Sequence, residues 1–353
     1  MYYVDPVIRD FIRTSQPEDR YGYIRLDQNE NPDGLPKWIY RKAMKKISPS
    51  FLSLYPEEIR FTTKYARLLG LKYDNVTLTD GSVVAMGYAL KVFGEPGKKL
   101  LCVTPTFGMY KVYADMQQMH TEFVHYEDDY YFDVNKLVQK IDNDTSIVSL
   151  VNPNMPVGNA YADEEIERVV EKAKSVGAMV IIDEAYHYFY ERSALDLIGK
   201  YDNVVILRTF SKFFSIPGLR LGAVISSKQN IQYIKNYKPH YTVNNMALVF
   251  GETIVDNFGR LHSELEKKFS LGKSFLLKQL ELHGYSFIPT EGCFICIRPK
   301  HKTPEHITEQ LKKHNILIFC GKGDSAGFLR VTIWAKKYMK LFMNALLEID
   351  KKD

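Results

Sequence analysis

Four short polar clusters in this chain carry residue types that can do chemistry, and each follows an apolar run. Asp80-Gly81-Ser82 follows Val76 to Thr79 and opens an apolar, helix-like segment. Asn152-Pro153-Asn154-Met155-Pro156-Val157-Gly158 follows Val151, and Asp183-Glu184-Ala185-Tyr186 follows Ile182. Arg208-Thr209-Phe210-Ser211-Lys212 follows Leu207, with Pro217-Gly218-Leu219-Arg220-Leu221-Gly222 just beyond. Singly, each has an ordinary reading. A lone lysine among 47 basic residues is usually solvated, Gly-Ser before a helix is commonly a cap, and Asn-Pro-Asn is a frequent turn.

The elements around them change that reading. Leu100 to Val103, Ile147 to Val151, Met179 to Ile182, Val204 to Leu207 and Leu221 to Ile225 are continuously apolar, as strands covered on both faces are. Between two of them, Ala162 to Val176 places Ile166, Val169, Val170 and Ala173 on one helical face. Acidic residues open that segment and lysines close it, as the helix dipole favours. Strand alternating with helix predicts an α/β domain with a mostly parallel sheet. Ligands of such sheets bind outside the carboxyl ends of the strands, where all four clusters fall. A carboxylate, a lysine, a second cation eight residues on and a Gly-Ser helix start suit pyridoxal phosphate. Lys212 would form the imine, Asp183 would keep the ring nitrogen protonated, and Arg220 with the amides near Gly81 would hold the phosphate.

From about Met246 the pattern shifts. A long helical stretch to Leu282 leads into Ser286 to Ile297, a helix near Pro304 to His314, Ile316 to Phe319, Phe328 to Ile333 and a terminal helix Lys336 to Ile349. We read residues 1–40 as an N-terminal arm with part of a small domain, 41–245 as a large cofactor-binding domain, and 246–353 as a smaller α+β domain.

Composition excludes several classes. At 45% hydrophobic and 25% charged, the 353-residue chain is an ordinary globular protein. A net charge of +5, without a long basic run, argues against nucleic acid as a partner. No stretch approaches the roughly 18 apolar residues of a membrane span. Three Arg and four Asp/Glu in the first 20 residues are unlike a secretory signal. Four cysteines suit reduced thiols in a cytoplasmic protein. Cys293 and Cys296 have zinc-like spacing, but no second pair follows and residues three apart on a strand face opposite ways, so no metal is expected.

The order of motifs resembles the fold-type-I, class I/II aminotransferases, and most closely the histidinol-phosphate aminotransferases. The resemblance runs through Leu26-Asp27-Gln28-Asn29-Glu30-Asn31-Pro32, Tyr55-Pro56, Gly81-Ser82 and Pro105-Thr106-Phe107-Gly108-Met109-Tyr110. It continues through Asp183 to Tyr186, Thr209 to Lys212, Gly218 to Gly222 and Leu329-Arg330-Val331. It implies pyridoxal phosphate as cofactor, held covalently by Lys212, with Asp183 on the ring nitrogen and Tyr186 on the phenolic oxygen. Phe107 would stack on the ring, and Gly81, Ser82, Thr209 and Arg220 would bind phosphate. Tyr55 would reach across a homodimer, Arg330 would grip the substrate α-carboxylate, and Val83 and Met155 fill further positions beside the cofactor.

The departures are specific. Met155 stands where the family has a second Asn, Val83 and Val84 replace frequent acidic residues, Phe319 replaces an arginine that meets substrate phosphate, and Cys293 replaces an asparagine. The implied activity is amino transfer from an amino acid, with L-glutamate the simplest donor, to a small keto acceptor. A short keto or ketose phosphate is favoured over imidazole acetol phosphate. Decarboxylation of a phosphorylated amino acid uses the same motifs and is the alternative.

Overall fold

The computed structural model describes residues 2–11, 19–127 and 130–352. The chain enters through a short strand, β1 (Ile24–Arg25). Seven strands then build the large sheet: β2 (Val76–Thr79), β3 (Lys99–Thr104), β4 (His120–His125), β5 (Thr145–Val151), β6 (Met179–Asp183), β7 (Val204–Thr209) and β8 (Gly222–Ser226). Their order is β2-β8-β7-β6-β5-β3-β4. β3 to β7 run parallel, while β8 is antiparallel to both of its neighbours.

Every residue of β5, β7 and β8 is buried, which is why those runs show no polar alternation. Successive side chains point to opposite faces. Leu100, Ile147, Ile181, Val205 and Val224 join the core on one side, and Leu101, Val148, Ile182, Ile206 and Ile225 join the core on the other. The expected helix spans Asp163–Ser175 and buries Ile166, Val169, Val170 and Ala173, with three acids in its first turn.

The carboxyl-terminal part holds β9 (Ser286–Ile288), β10 (Phe294–Arg298), β11 (Ile316–Leu317), β12 (Phe319–Cys320) and β13 (Leu329–Thr332). Four of these form an antiparallel sheet, β12-β13-β10-β9, and β1 pairs in parallel with β11. The 25-residue helix Phe258–Leu282 packs on the terminal helix Lys336–Ile349. Gly272 lets that long helix touch the Trp334 carbonyl, where any Cβ would collide.

Three expectations are corrected. The stretch from Met246 to Leu282 is two helices, Asn245–Asp256 and Phe258–Leu282. Asn257 separates them by leaving helical geometry (φ −124°) and capping Thr253 O with its own amide. Ser286 to Ile297 contains the β9–β10 pair, and Cys293, expected on a strand with Cys296, precedes β10, so only Cys296 lies on it. Ile316 to Phe319 divides between two sheets at Ile318.

Candidate active site

A cavity of about 210 Å³ opens at the carboxyl ends of β5, β6 and β7. Its lining includes Ser82, Val83, Phe107, Met155, Asp183, Tyr186, Thr209, Lys212 and Arg220, so the structure brings together nine of the twelve residues singled out in the sequence. Gly81 stands directly behind the wall, and Arg330 reaches the wall through Met155. Tyr55 lies elsewhere, 76% exposed and packed on Tyr241 with ring centroids 4.6 Å apart.

Asp183 ends β6 and is almost fully buried. Its Oδ1 accepts from the Ala185 amide at 3.1 Å, and its Oδ2 accepts from the Tyr110 hydroxyl at 3.3 Å. Burial pushes the carboxyl up to about 6, against the pull of those two donors. No cation pairs with this carboxylate among the described residues. Next to it, Glu184 turns away into a buried pair with Arg208 at 2.7 Å. It also accepts from Ser193 Oγ and the Ala194 amide, which fixes the turn carrying Ala185 and Tyr186. His187, next along, is outside the cavity, with Nδ1 on the Arg192 carbonyl.

Lys212 follows β7. Its Nζ donates to the Gln28 carbonyl at 2.8 Å, and burial lowers its pKa below the ordinary lysine range. An uncharged amine is the form that attacks a carbonyl.

Arg220 sits in the left-handed region (φ 52°) and is held by Pro217 O at 3.0 Å. Its guanidinium passes where a Cβ on Gly81 would stand, and Gly81 itself has φ 89°. Gly222, at the start of β8, likewise has no room for a Cβ beside the Gly81–Ser82 peptide. These two glycines bring a guanidinium and the first turn of helix Ser82–Phe93 into one cradle, with Thr209 and Ser211 on its rim. Backbone amides at a helix start with an arginine make an anion site. The residues present therefore fit a phosphorylated pyridine aldehyde: a carboxylate for its nitrogen, an amine for its carbonyl and a cradle for its phosphate.

Arg330, on β13, is 9% exposed. Its Nη2 donates to the Asp27 carbonyl at 2.9 Å, its Nη1 faces Met155 Sδ at 2.9 Å, and its Nε has no partner. The ring of Phe319 lies 4.3 Å from the guanidinium carbon. No described carboxylate pairs with it, so the strand-end salt bridge that could have explained this arginine is absent among the described residues. A buried guanidinium without a counter-ion is costly, a cost that an anionic ligand would relieve.

The sequence reading passed over the contribution of residues 27–31. Asp27 O meets Arg330, Gln28 O meets Lys212, Asn29 Nδ2 donates to Tyr186 Oη at 2.8 Å, and Asn31 Nδ2 bonds Ser215 Oγ. Glu30 lines the cavity, clamped by Arg20 and Arg25. Two of these contacts use backbone carbonyls, which carry no residue signature. Tyr110 was likewise noted in a motif and not assigned to Asp183. Asn154, a candidate to replace Met155 as donor, is committed to Pro105 O and Tyr126 Oη, both at 2.9 Å.

Fold and site together define a pyridoxal-phosphate enzyme of fold type I, with an α/β large sheet. The model of the aminotransferase class I and II family matches residues 21–346, and the chain belongs to that family. Histidinol-phosphate aminotransferase 1 of Carboxydothermus hydrogenoformans is 31% identical over 92% of this chain and 93% of its own length. Among solved structures, the histidinol-phosphate aminotransferase of Sinorhizobium meliloti in complex with pyridoxal-5′-phosphate superposes with a TM-score of 0.87 at 20% identity, over 99% of this chain and 98% of the other. A putative histidinol-phosphate aminotransferase from Erwinia carotovora atroseptica gives 0.86 at 23% identity, over 95% and 98%. The protein is a pyridoxal-phosphate-dependent aminotransferase. Among the described residues, no helix is long and apolar enough to cross a membrane, and no cluster of three or more His, Cys, Asp or Glu could hold a metal.

Proposed function

We propose that this aminotransferase takes its amino group from L-glutamate and gives it to a keto acceptor smaller than imidazole acetol phosphate: a short keto or ketose phosphate, or a small 2-oxo acid. The carrying observation is the pair Arg330 and Phe319. Arg330, which has no counter-ion among the described residues, would take an α-carboxylate, while Phe319 would present an aromatic face where a phosphate-gripping cation would serve a longer substrate. Lys322, the next cation along the chain, is exposed and absent from the cavity wall. Arg20 and Arg25 are committed to Asp27 and Glu30.

Bound there, pyridoxal phosphate supplies an electron sink for the pair left on the substrate α-carbon. Lys212 would carry the cofactor, and its Nζ, whose charged form burial disfavours, would take the α-proton. Asp183 would hold the proton on the ring nitrogen, and Tyr186 Oη would donate to the phenolic oxygen. Gly81, Ser82, Thr209 and Arg220 would bind the phosphate, and Phe107 and Val83 would face the ring. Arg330 orients the amino acid by its carboxylate.

A second copy of the chain belongs to this reading. Tyr55 is exposed beside Leu52, Leu54 and Ile59, which are 63%, 64% and 68% exposed, an apolar patch of the kind buried between subunits. A homodimer would cover it and bring Tyr55 to the partner's cofactor. A cytoplasmic setting, where thiols stay reduced, suits the four free cysteines.

Half-reaction spectra and steady-state kinetics over a panel of amino donors test the assignment. Glutamate should convert the cofactor absorbance and form 2-oxoglutarate. Histidinol phosphate as the best donor by kcat/KM overturns the size argument, and carbon dioxide release from a phosphorylated amino acid overturns amino transfer.

A further inference from the structure

The hydroxyl of Tyr186 accepts a hydrogen bond from Asn29 Nδ2 at 2.8 Å. A phenol that accepts at its oxygen keeps its own proton to give elsewhere. The Tyr186 ring is held edge-on to Phe294, with centroids 5.1 Å apart, and the residue lines the cavity. Its proton is therefore free to point into the cavity. Asn29 is 4% exposed and is held in the left-handed backbone region (φ 57°), with its amide N–H on Thr332 Oγ1 at 3.1 Å. Its Oδ1 is buried without a partner. Strain and an unsatisfied acceptor at one buried residue mark a position kept for something other than stability.

The surroundings say what that is. Met155 lines the same cavity and offers a thioether, which donates nothing. The amide of Asn154 is already spent on Pro105 and Tyr126. The phenolic oxygen of the cofactor thus depends on the Tyr186 proton. We propose that Asn29, reaching in from the N-terminal arm, is a positioning residue that turns that proton toward the cofactor, securing the Tyr186 donor where Met155 offers none. The inference rests on the cofactor, not on the choice of substrate.

The test needs no turnover. Donors to the phenolic oxygen stabilise the unprotonated form of the bound cofactor, so they lower the pH midpoint of its visible absorbance change. Asn29→Gly tolerates the backbone geometry and removes the donor, leaving the phenol free to rotate. Asn29→Asp keeps the shape but presents only acceptors, which draw the Tyr186 proton away from the cavity. The midpoint should rise in the order wild type, Asn29→Gly, Asn29→Asp, the last by ~1 pH unit or more. In a Tyr186→Phe background the Asn29→Asp shift should vanish. An unshifted midpoint in Asn29→Asp overturns the proposal, since Asn29 would then already be an acceptor. A shift that persists without the Tyr186 hydroxyl also overturns it, because bare charge would account for the effect.

Discussion

Removing the charge at Asp183 should make the cofactor-free protein more stable while spoiling the enzyme. Burial raises this carboxyl from 3.8 to about 6. A carboxyl whose folded pKa lies above its unfolded value takes up a proton on folding. Stability is therefore lost as pH rises from about 4, where the unfolded chain begins to ionise, through about 6. Roughly 2 units at 1.36 kcal/mol each gives a penalty of about 3 kcal/mol, nearly complete by pH 7. Asp183→Asn keeps the shape, and its amide oxygen can still accept from Ala185 or Tyr110, so the variant escapes the penalty without opening a cavity. Urea unfolding of cofactor-stripped wild type and Asp183→Asn, run from pH 4 to 7.5, isolates the effect. The difference should widen in favour of the variant by about 2–3 kcal/mol, most of it between pH 4 and 6. With cofactor restored, the cationic ring nitrogen becomes the counter-charge, so wild type should gain more stability than the variant on binding. A stability difference that stays flat with pH, or moves toward wild type as pH rises, would refute the reasoning.

Borohydride reduction of the loaded enzyme, followed by peptide mapping, should leave the cofactor on Lys212, and label on another lysine removes that assignment. Met155→Asn supplies a direct donor and should lower the pH midpoint of the visible absorbance by ~0.5–1 unit; no change would mean that the Tyr186 proton already saturates the oxygen. Gly81→Ala places a methyl against the Arg220 guanidinium at φ 89° and should weaken cofactor binding about tenfold or more, read by fluorescence titration of the stripped protein. Arg330→Ala removes charge-assisted hydrogen bonds worth roughly 1.5–3 kcal/mol each and should cut kcat/KM for the glutamate half-reaction by about a hundredfold. An intact half-reaction would show that the carboxylate binds elsewhere.

The large sheet was readable because burial on both faces leaves unbroken apolar runs, and the candidate site was readable because the residues singled out fall where those runs end, around one cavity. Asp183, Lys212 and Arg220 are single side chains at strand ends, and their types announce their chemistry. Two kinds of feature were not readable. Asn257 ends a helix through its own side-chain amide, a choice that the apolar period across Met246 to Leu282 does not register. The division of Ile316 to Phe319 between two sheets is set by which partner strands come alongside, β1 for one half and β13 for the other. That is tertiary information, absent from the four residues themselves.

The arm shows why the deepest part of the site escaped a reading by residue type. Three consecutive residues touch three functional groups on two different sheets: Asp27 O on Arg330, Gln28 O on Lys212 and Asn29 on Tyr186. The spacing is that of the backbone, so the contacts hold only if the arm follows one path. That path is fixed at one end by β1 against β11, with Leu26 hydrogen-bonded to both Leu317 and Thr332, and at the other by Asn31 on Ser215. The strand carrying Arg330 and the turn carrying Lys212 are thereby tied to the same few peptides. A change in the arm that shifted its register by one residue would misplace the carboxylate grip, the amine and the phenol together. On the proposed roles, substrate orientation and proton transfer would be coupled through main chain, and no side-chain motif marks that coupling in the sequence.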